Sequence, residues 1–214
     1  MDRYQVLAYD RRGYQGSRAL GAGTLDEHAD DLAMVIGERT QRAWVVGHSF
    51  GGLVAMVAAL RHPGLFRGAL CYESPVPWIT PRPHSSAPDP NDPAGEVERF
   101  FRRVVSAEAW ERLSEQERQS RRFDGPALVS DLGELTDRRE RVRLGEMTTP
   151  VIYAFGDGPA QAYYERLASG LESSGGTYSR RLVPGVGHGI HLSHPQTLAD
   201  LVGDLMSSDA TTTR

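Results

Sequence analysis

The stretch Gly47-His48-Ser49-Phe50-Gly51-Gly52 has the residue types and spacing for nucleophilic chemistry. It follows the apolar run Ala43-Trp44-Val45-Val46 and opens the helical pattern Leu53–Leu60, so a strand leads into a sharp turn and a helix leads out of it. Gly47 and Gly51 lack a Cβ, which lets strand and helix approach while Ser49 sits in a strained backbone conformation that lifts its hydroxyl clear. The helix aims positive N–H groups at the place where an oxyanion would form. A serine hydroxyl is a weak nucleophile at neutral pH and needs an adjacent base. The best candidate is His188 in Pro184-Gly185-Val186-Gly187-His188-Gly189, where the glycines make a turn flexible enough to swing an imidazole across to a serine. His191 and His194 lie close by but do not follow the Gly-x-Gly turn, and His28, His62 and His84 read as structural or exposed. His48 neighbours the serine, and no catalytic role is expected of it. The G-x-S-x-G spacing alone also fits an ordinary turn with Ser49 as an N-cap. Its pairing with the C-terminal Gly-x-Gly-His favours chemistry.

Alternating strand and helix patterns must position these residues. Tyr4–Tyr9 reads as a strand ending at Asp10, and Leu25–Glu38 as a helix with Leu32, Val35 and Ile36 on one side. Then come the Ala43–His48 strand, the Leu53–Arg61 helix and the Gly68–Tyr72 strand. Later elements are the Pro150–Phe155 strand, the Gln161–Leu171 helix, the Tyr178–Val183 strand and the Pro195–Met206 helix. Continuous apolar strands separated by helices predict an α/β fold, a mostly parallel, doubly wound sheet covered on both faces. Ligands bind such sheets at the carboxyl ends of the strands, and Ser49, Glu73, Asp157 and His188 all fall at or just after strand ends. Residues 75–145 break the alternation. Seven prolines lie from Pro75 to Pro93, followed by helical stretches at Gly95–Val105, Ala107–Leu113 and Leu128–Leu135. Trp78, Phe100, Phe101, Trp110 and Phe123 supply apolar mass, so this part reads as a helical lid insertion. The expected organisation is core over residues 1–74 and 146–207, lid over 75–145, and a frayed tail over 208–214.

The bulk properties exclude several classes. A chain of 214 residues can hold one domain with a substantial core. A net charge of −4 argues against nucleic-acid binding, and Arg121-Arg122 and Arg139–Arg143 read as solvated helix faces. All 24 basic residues are Arg, which we read as coding bias. Cys71 is alone in an apolar run and reads as a buried structural thiol. The chain shows no charged-then-apolar signal pattern, and no run approaches the ~20 apolar residues that span a bilayer. A cytoplasmic protein with a small-molecule substrate and neither nucleic acid nor membrane as partner is expected; oligomeric state is not legible. No metal-ligand spacing, phosphate loop or dinucleotide fingerprint appears, so no metal and no cofactor is expected.

Together these residues resemble the α/β-hydrolase superfamily. Asp10-Arg11-Arg12-Gly13-Tyr14-Gln15-Gly16-Ser17 is similar to the family's D-x-R-G-x-G-x-S stretch after its fourth strand. The Gly47–Gly52 elbow follows the fifth strand and Gly187-His188 the last. Tyr72-Glu73-Ser74-Pro75 resembles a stretch of one bacterial branch of lid-bearing hydrolases. The resemblance implies three strands before the one expected at Tyr4–Tyr9, and a His-Gly loop that donates one oxyanion-hole N–H. Neither is found in this sequence. The remaining donor would be the Phe50 backbone N–H, and losing one donor costs ~10²–10³ in turnover. The resemblance also implies that the family's third strand lies between its fourth and fifth, so Tyr4–Tyr9 and Ala43–His48 must close up, find a partner, or belong to a chain that starts upstream, the expectation favoured here.

The resemblance allows two positions for the triad acid. Asp157, in Gly156-Asp157-Gly158-Pro159, stands after the strand where the family usually places it, in a shortened turn. Glu73 ends the strand after the elbow helix, where some branches place it. A carboxylate closing an apolar strand is awkward without a partner, so Glu73 is preferred and Asp157 stays open. A serine hydrolase acting through Ser49, His188 and one of these acids on a small ester, lactone, thioester or related carbonyl compound is the leading reading. The serine argues against the dehalogenase or epoxide hydrolase chemistry expected of an aspartate there. It does not separate an esterase from a carbon–carbon bond hydrolase, a perhydrolase or a lyase. The alternative is a catalytically impaired remnant or a ligand-binding member of the same fold.

Overall fold

The computed structural model describes residues 5–81 and 87–209. Among them the chain runs α1 (Leu25–Arg39), β1 (Ala43–His48), α2 (Phe50–Arg61), β2 (Phe66–Tyr72), α3 (Pro93–Val104), α4 (Ala107–Arg112), α5 (Glu115–Phe123), α6 (Gly125–Glu134), β3 (Val151–Gly156), α7 (Gln161–Ser173), β4 (Tyr178–Val183), α8 (Ile190–Ser193) and α9 (Pro195–Asp209), with 3-10 turns between some of them. The chain divides into two compact units, residues 1–24 with 88–130 and residues 25–87 with 131–214. These boundaries differ from the expected ones. Residues 1–24 group with the insertion, while 75–87 and 131–145 group with the sheet. The expected tail lies mostly outside the described residues, and α9 runs to Asp209.

The larger unit is an α/β layer structure. Its sheet is parallel throughout, in the order β1-β2-β3-β4. Successive side chains on a strand face opposite ways, and here both faces are covered. Ala69, Cys71, Tyr153 and Phe155 join a core with residues of α1, α2 and α7. Leu70, Tyr72, Ile152 and Ala154 join a second core with Ile190 of α8 and Leu201 and Leu205 of α9. That is why β2 and β3 read as unbroken apolar runs; β3 is buried along its whole length. α2 is buried almost all round. α1 buries Leu25, Ala29, Leu32, Ala33 and Ile36 as one stripe, with Asp26 and Glu27 in its first turn, where carboxylates complement the helix dipole.

The strand expected at Tyr4–Tyr9 is not present. Tyr4 lies outside the described residues, and residues 5–10 belong to no strand, with Val6 and Leu7 87% and 52% exposed. An apolar hexapeptide becomes a strand only when a neighbour takes its N–H and C=O groups. The four-stranded sheet offers residues 5–10 no such pairing, and β1 pairs on one side only, with β2. Of the three possibilities, closing-up of the two strands is not realised among the described residues.

The smaller unit is helical. Asp92 caps α3 by accepting from Gly95 N at 3.0 Å, with Pro93 at the first helical position. Ser106 caps α4 through Ala109 N at 2.9 Å. Ser114 and Glu117 close α5 with a reciprocal capping box. Trp110 is buried beside Phe101, with ring centroids 5.3 Å apart. The segment before α1 is tied down by Asp124, which accepts from Gln15 Nε2 at 2.9 Å and from Arg18 Nε at 2.5 Å. This unit also holds a cavity of about 420 Å³ lined by Tyr14, Val97, Phe100, Phe101 and Arg121 among others.

Candidate active site

The site residues stand at the carboxyl ends of β1, β2 and β4, all within the sheet-bearing unit. Ser49 follows β1 directly and has φ 55° and ψ −127°, a region that L-residues rarely occupy. Its backbone is tied to the next strand by a 2.9 Å hydrogen bond from Ser49 N to Tyr72 O. The packing that makes this turn possible differs in part from the expectation. A Cβ on Gly47 would lie 2.4 Å from Gly52 Cα and 2.5 Å from Gly51 O, so this glycine is required. A Cβ on Gly51 would meet nothing within 4 Å. Gly52 is the second constrained position, since a Cβ there would come within 1.8 Å of Ser74 Oγ. The glycine that packs strand against helix is thus one residue further on than expected, because the first turn of α2 carries position 52, not 51, over the end of β2. Phe50 is the first helical residue, where a backbone N–H has no earlier carbonyl in the helix to serve.

Glu73 and His188 are brought together. His188 Nδ1 lies 2.7 Å from Glu73 Oε2, and Glu73 Oε1 accepts from Gly156 N at 3.1 Å. The carboxylate is buried, with 5% of its side chain exposed. A carboxylate oxygen on Nδ1 makes that nitrogen the proton-bearing one, which leaves Nε2 as the basic position. Asp157 is not brought to the imidazole. Its Oδ1 accepts from Gly185 N at 2.8 Å, so it shapes the turn that leads to His188. Gly156 lets the segment before His188 approach β3, since a Cβ at 156 would come within 1.7 Å of Val186 O.

The other histidines separate clearly. His28 is buried with Nε2 3.1 Å from Asp131 Oδ1, and its ring meets Phe50 edge-on at 5.8 Å. His62 pairs with Asp30 at 2.9 Å, and His194 is exposed beside Ser193. His84 lies outside the described residues. His48 carries more than the sequence suggested. Its Nε2 is 2.6 Å from the His188 carbonyl oxygen, and its ring lies 4.5 Å from the His188 ring and 4.8 Å from that of His191. Burial first, and then the neighbouring His188, hold His48 down to about 4, so it is neutral in any near-neutral solution. Tyr72, which burial keeps protonated, donates its hydroxyl proton to Gly187 O at 3.1 Å. His48 and Tyr72 therefore grip consecutive carbonyls of the His188 turn. In the sequence, the only signals of this were a histidine before the serine and a tyrosine before the glutamate. Cys71 is buried, which pushes its thiol up to about 12 and leaves it inert. Among the described residues no group of three or more His, Cys, Asp or Glu could hold a metal ion, and no helix is long and apolar enough to cross a membrane.

A strained serine after β1, a carboxylate–imidazole pair anchored at the end of the paired strand β2 and a helix start after the serine are arranged at the same end of the sheet. The model of the family described as "Alpha/beta hydrolase family" matches residues 1–201. The chain belongs to the alpha/beta hydrolase family. Its four-stranded parallel sheet flanked by helices is part of that fold. It is 27% identical to a pimeloyl-[acyl-carrier protein] methyl ester esterase of Yersinia enterocolitica, over 97% of this chain and 85% of that protein. It is 26% identical to a 2-succinyl-6-hydroxy-2,4-cyclohexadiene-1-carboxylate synthase of Enterobacter sp. (strain 638), over 95% and 82% of the two chains. Among solved structures it resembles Est816, described as an N-acyl homoserine lactone degrading enzyme, with a TM-score of 0.67 and 24% identity, covering 91% of this chain and 80% of that one.

Proposed function

We propose that this α/β-hydrolase is a serine hydrolase of small esters, lactones, thioesters or related carbonyl compounds, working through an acyl-enzyme. The observation that carries the reading is the 2.7 Å bond between Glu73 and His188 Nδ1, with a serine held at φ 55° at the end of the strand paired with that of Glu73. With Nδ1–H bonded to the carboxylate, His188 Nε2 takes the Ser49 proton as the hydroxyl oxygen attacks the substrate carbonyl. The Phe50 N–H at the start of α2 stabilises the oxyanion. His188 returns the proton to the leaving alcohol or thiol. It then draws a proton from water, whose oxygen attacks the acyl carbon and frees Ser49. Asp157 keeps the turn in shape through Gly185. The esterase named among the relatives supports ester cleavage, and its carrier-bound methyl ester is one candidate for a screen.

The test is intact-mass analysis after exposure to a fluorophosphonate, with Ser49→Ala alongside, followed by a panel of 4-nitrophenyl esters and lactones. One adduct that vanishes in Ser49→Ala, together with ester turnover, is the expected result. A folded chain that takes no adduct and turns over no ester would overturn the reading in favour of a ligand-binding member of the fold.

A further inference from the structure

The turn that carries His188 contains Gly185, Gly187 and Gly189, and Gly185 sits at φ 72°. Such a segment loses much conformational freedom when it is fixed in one shape. An imidazole that must exchange protons with a serine, however, tolerates only small displacements. The Glu73 bond fixes the imidazole ring, but the ring can be held only if its backbone is also held. The structure supplies two struts for that backbone. His48 Nε2 reaches the carbonyl of His188 at 2.6 Å, and the Tyr72 hydroxyl reaches the carbonyl of Gly187 at 3.1 Å. A carbonyl oxygen only accepts, so His48 is the Nε2–H tautomer. The two struts come from directly paired positions, since His48 stands opposite Tyr72 in the β1–β2 register. Their rings stack at 6.1 Å with 20° between planes, so each braces the other.

We infer that His48, braced by Tyr72, is a positioning residue that locks the backbone of the His188 turn so that the imidazole meets Ser49 in register. The inference rests on the serine hydrolase reading for its kinetic consequence and on geometry alone for its structural one. His48 hydrogen-bonds neither the His188 ring nor the carboxylate, although its ring packs against that of His188; its hydrogen bond goes to the His188 carbonyl. It does so as a neutral donor, which suits a position whose ring neighbours are His188, His191 and Tyr72, with Glu73 close by. A permanent cation at position 48 would oppose the imidazolium that forms during turnover.

Side-chain reach gives a sharp test. The amide nitrogen of Gln lies as many bonds from Cα as His Nε2, whereas the amide nitrogen of Asn matches Nδ1. His48→Gln should therefore restore the strut, while His48→Asn and His48→Leu should not. With a 4-nitrophenyl ester, His48→Leu and His48→Asn are expected to lose about 10- to 100-fold in kcat with KM nearly unchanged, the scale of an ångström-level misplacement. His48→Gln should recover to within a few-fold of wild type, and Tyr72→Phe should fall between. A second readout needs no turnover: the downfield proton of the His188–Glu73 bond, seen by NMR, should persist in wild type and His48→Gln and broaden or vanish in His48→Leu. If Ser49 takes no fluorophosphonate but the proton follows this pattern, the serine reading falls and the positioning role stands. If a folded His48→Leu keeps both wild-type kcat and the downfield proton, the positioning role is overturned. Loss of kcat in His48→Gln equal to that in His48→Leu overturns it as well.

Discussion

Glu73→Gln is the sharpest perturbation of the proposed triad, because it changes charge and proton position but almost no volume. Glu73 Oε1 accepts from Gly156 N at 3.1 Å, and Oε2 faces His188 Nδ1 at 2.7 Å. In the variant, the Gln oxygen keeps the Gly156 bond and its NH₂ turns toward Nδ1. An NH₂ only donates, so Nδ1 must become the acceptor and Nε2 must carry the proton. That is the tautomer that cannot take a proton from Ser49. The buried negative charge that balances the imidazolium is lost at the same time. In a Ser-His-Asp triad the equivalent change costs ~10⁴ in kcat, which is about 5 kcal/mol of barrier. Asp157→Asn is the matched control. The Asn oxygen can still accept from Gly185 N, the contact Asp157 makes at 2.8 Å, so the loss should stay below tenfold. The assay is kcat and kcat/KM on the best ester found, with thermal melting of each variant to show that both remain folded. If Glu73→Gln keeps more than a tenth of wild-type kcat, the assignment of Glu73 as the triad acid is refuted. If Asp157→Asn loses orders of magnitude instead, the acid is Asp157.

Three further outcomes follow from the geometry. Gly47→Ala drives a Cβ to 2.4 Å from Gly52 Cα and should cost about 1–3 kcal/mol or more, lowering Tm by several degrees. Gly51→Ala meets nothing within 4 Å and should leave Tm unchanged or raise it; equal melting of the two variants would contradict the packing described. His48 is held down to about 4, below the ~6.5 of an ordinary histidine. As pH falls the unfolded chain therefore takes up this proton first. The stability associated with neutral His48 is complete above pH ~6.5 and is lost between pH ~6.5 and ~4, to a total of about 3 kcal/mol. Urea unfolding should show a flatter pH profile in His48→Gln across that window. Finally, Ser49→Gly relieves a φ of 55° that Ser49→Ala keeps, so the glycine variant should be more stable than the alanine variant by about 1 kcal/mol; calorimetry giving the reverse order would mean that the turn carries no strain.

The parts of this molecule that the sequence reveals are those set by local pattern. Ala43–His48 and Tyr178–Val183 occur with the expected limits. Ala43–His48 is largely apolar and Tyr178–Val183 is bounded by apolar residues around a polar middle; each lies between turn residues and has a strand neighbour. The run before Asp10 has a similar pattern but no pairing partner in the sheet, and pairing, not pattern, decides a strand. α5 was missed for the opposite reason. Glu115–Phe123 has little apolar content to show a period, and its start is fixed by the Ser114–Glu117 capping box, a four-residue signal that was there to be read. The site divides in the same way. The residues of the proposed triad, Ser49, Glu73 and His188, stand out in the sequence because each has an unusual local setting, a serine between glycines, a carboxylate ending an apolar strand and a histidine after Gly-x-Gly, although the sequence leaves Asp157 open beside Glu73. Gly52 and the backbone strut of His48 do not, because each is defined by an atom from another element, Ser74 Oγ in one case and the His188 carbonyl in the other.

The same register bears on how the serine and the glutamate of the proposed triad come to the same end of the sheet. His48 pairs with Tyr72 across β1 and β2, so the next residue on each strand, Ser49 and Glu73, emerges at the same level of the sheet. Both leave the strand with positive φ, 55° and 44°. A normal strand exit would send both side chains to the face away from His48 and Tyr72, since neighbouring residues alternate. The turn to positive φ re-aims both. Strain of this kind costs ~1–3 kcal/mol per residue, a large part of a net stability of ~5–15 kcal/mol. It is held in place by continuing the ladder one step beyond the strands, from Ser49 N to Tyr72 O at 2.9 Å and from Glu73 N to Ala154 O at 2.8 Å. The fully buried β3 anchors the second of these bonds. Rigidity at the two strained positions therefore comes from the sheet, while the His188 turn, which belongs to no strand, depends on side-chain struts. That difference predicts where the site is most easily loosened: at the histidine, not at the serine or the glutamate.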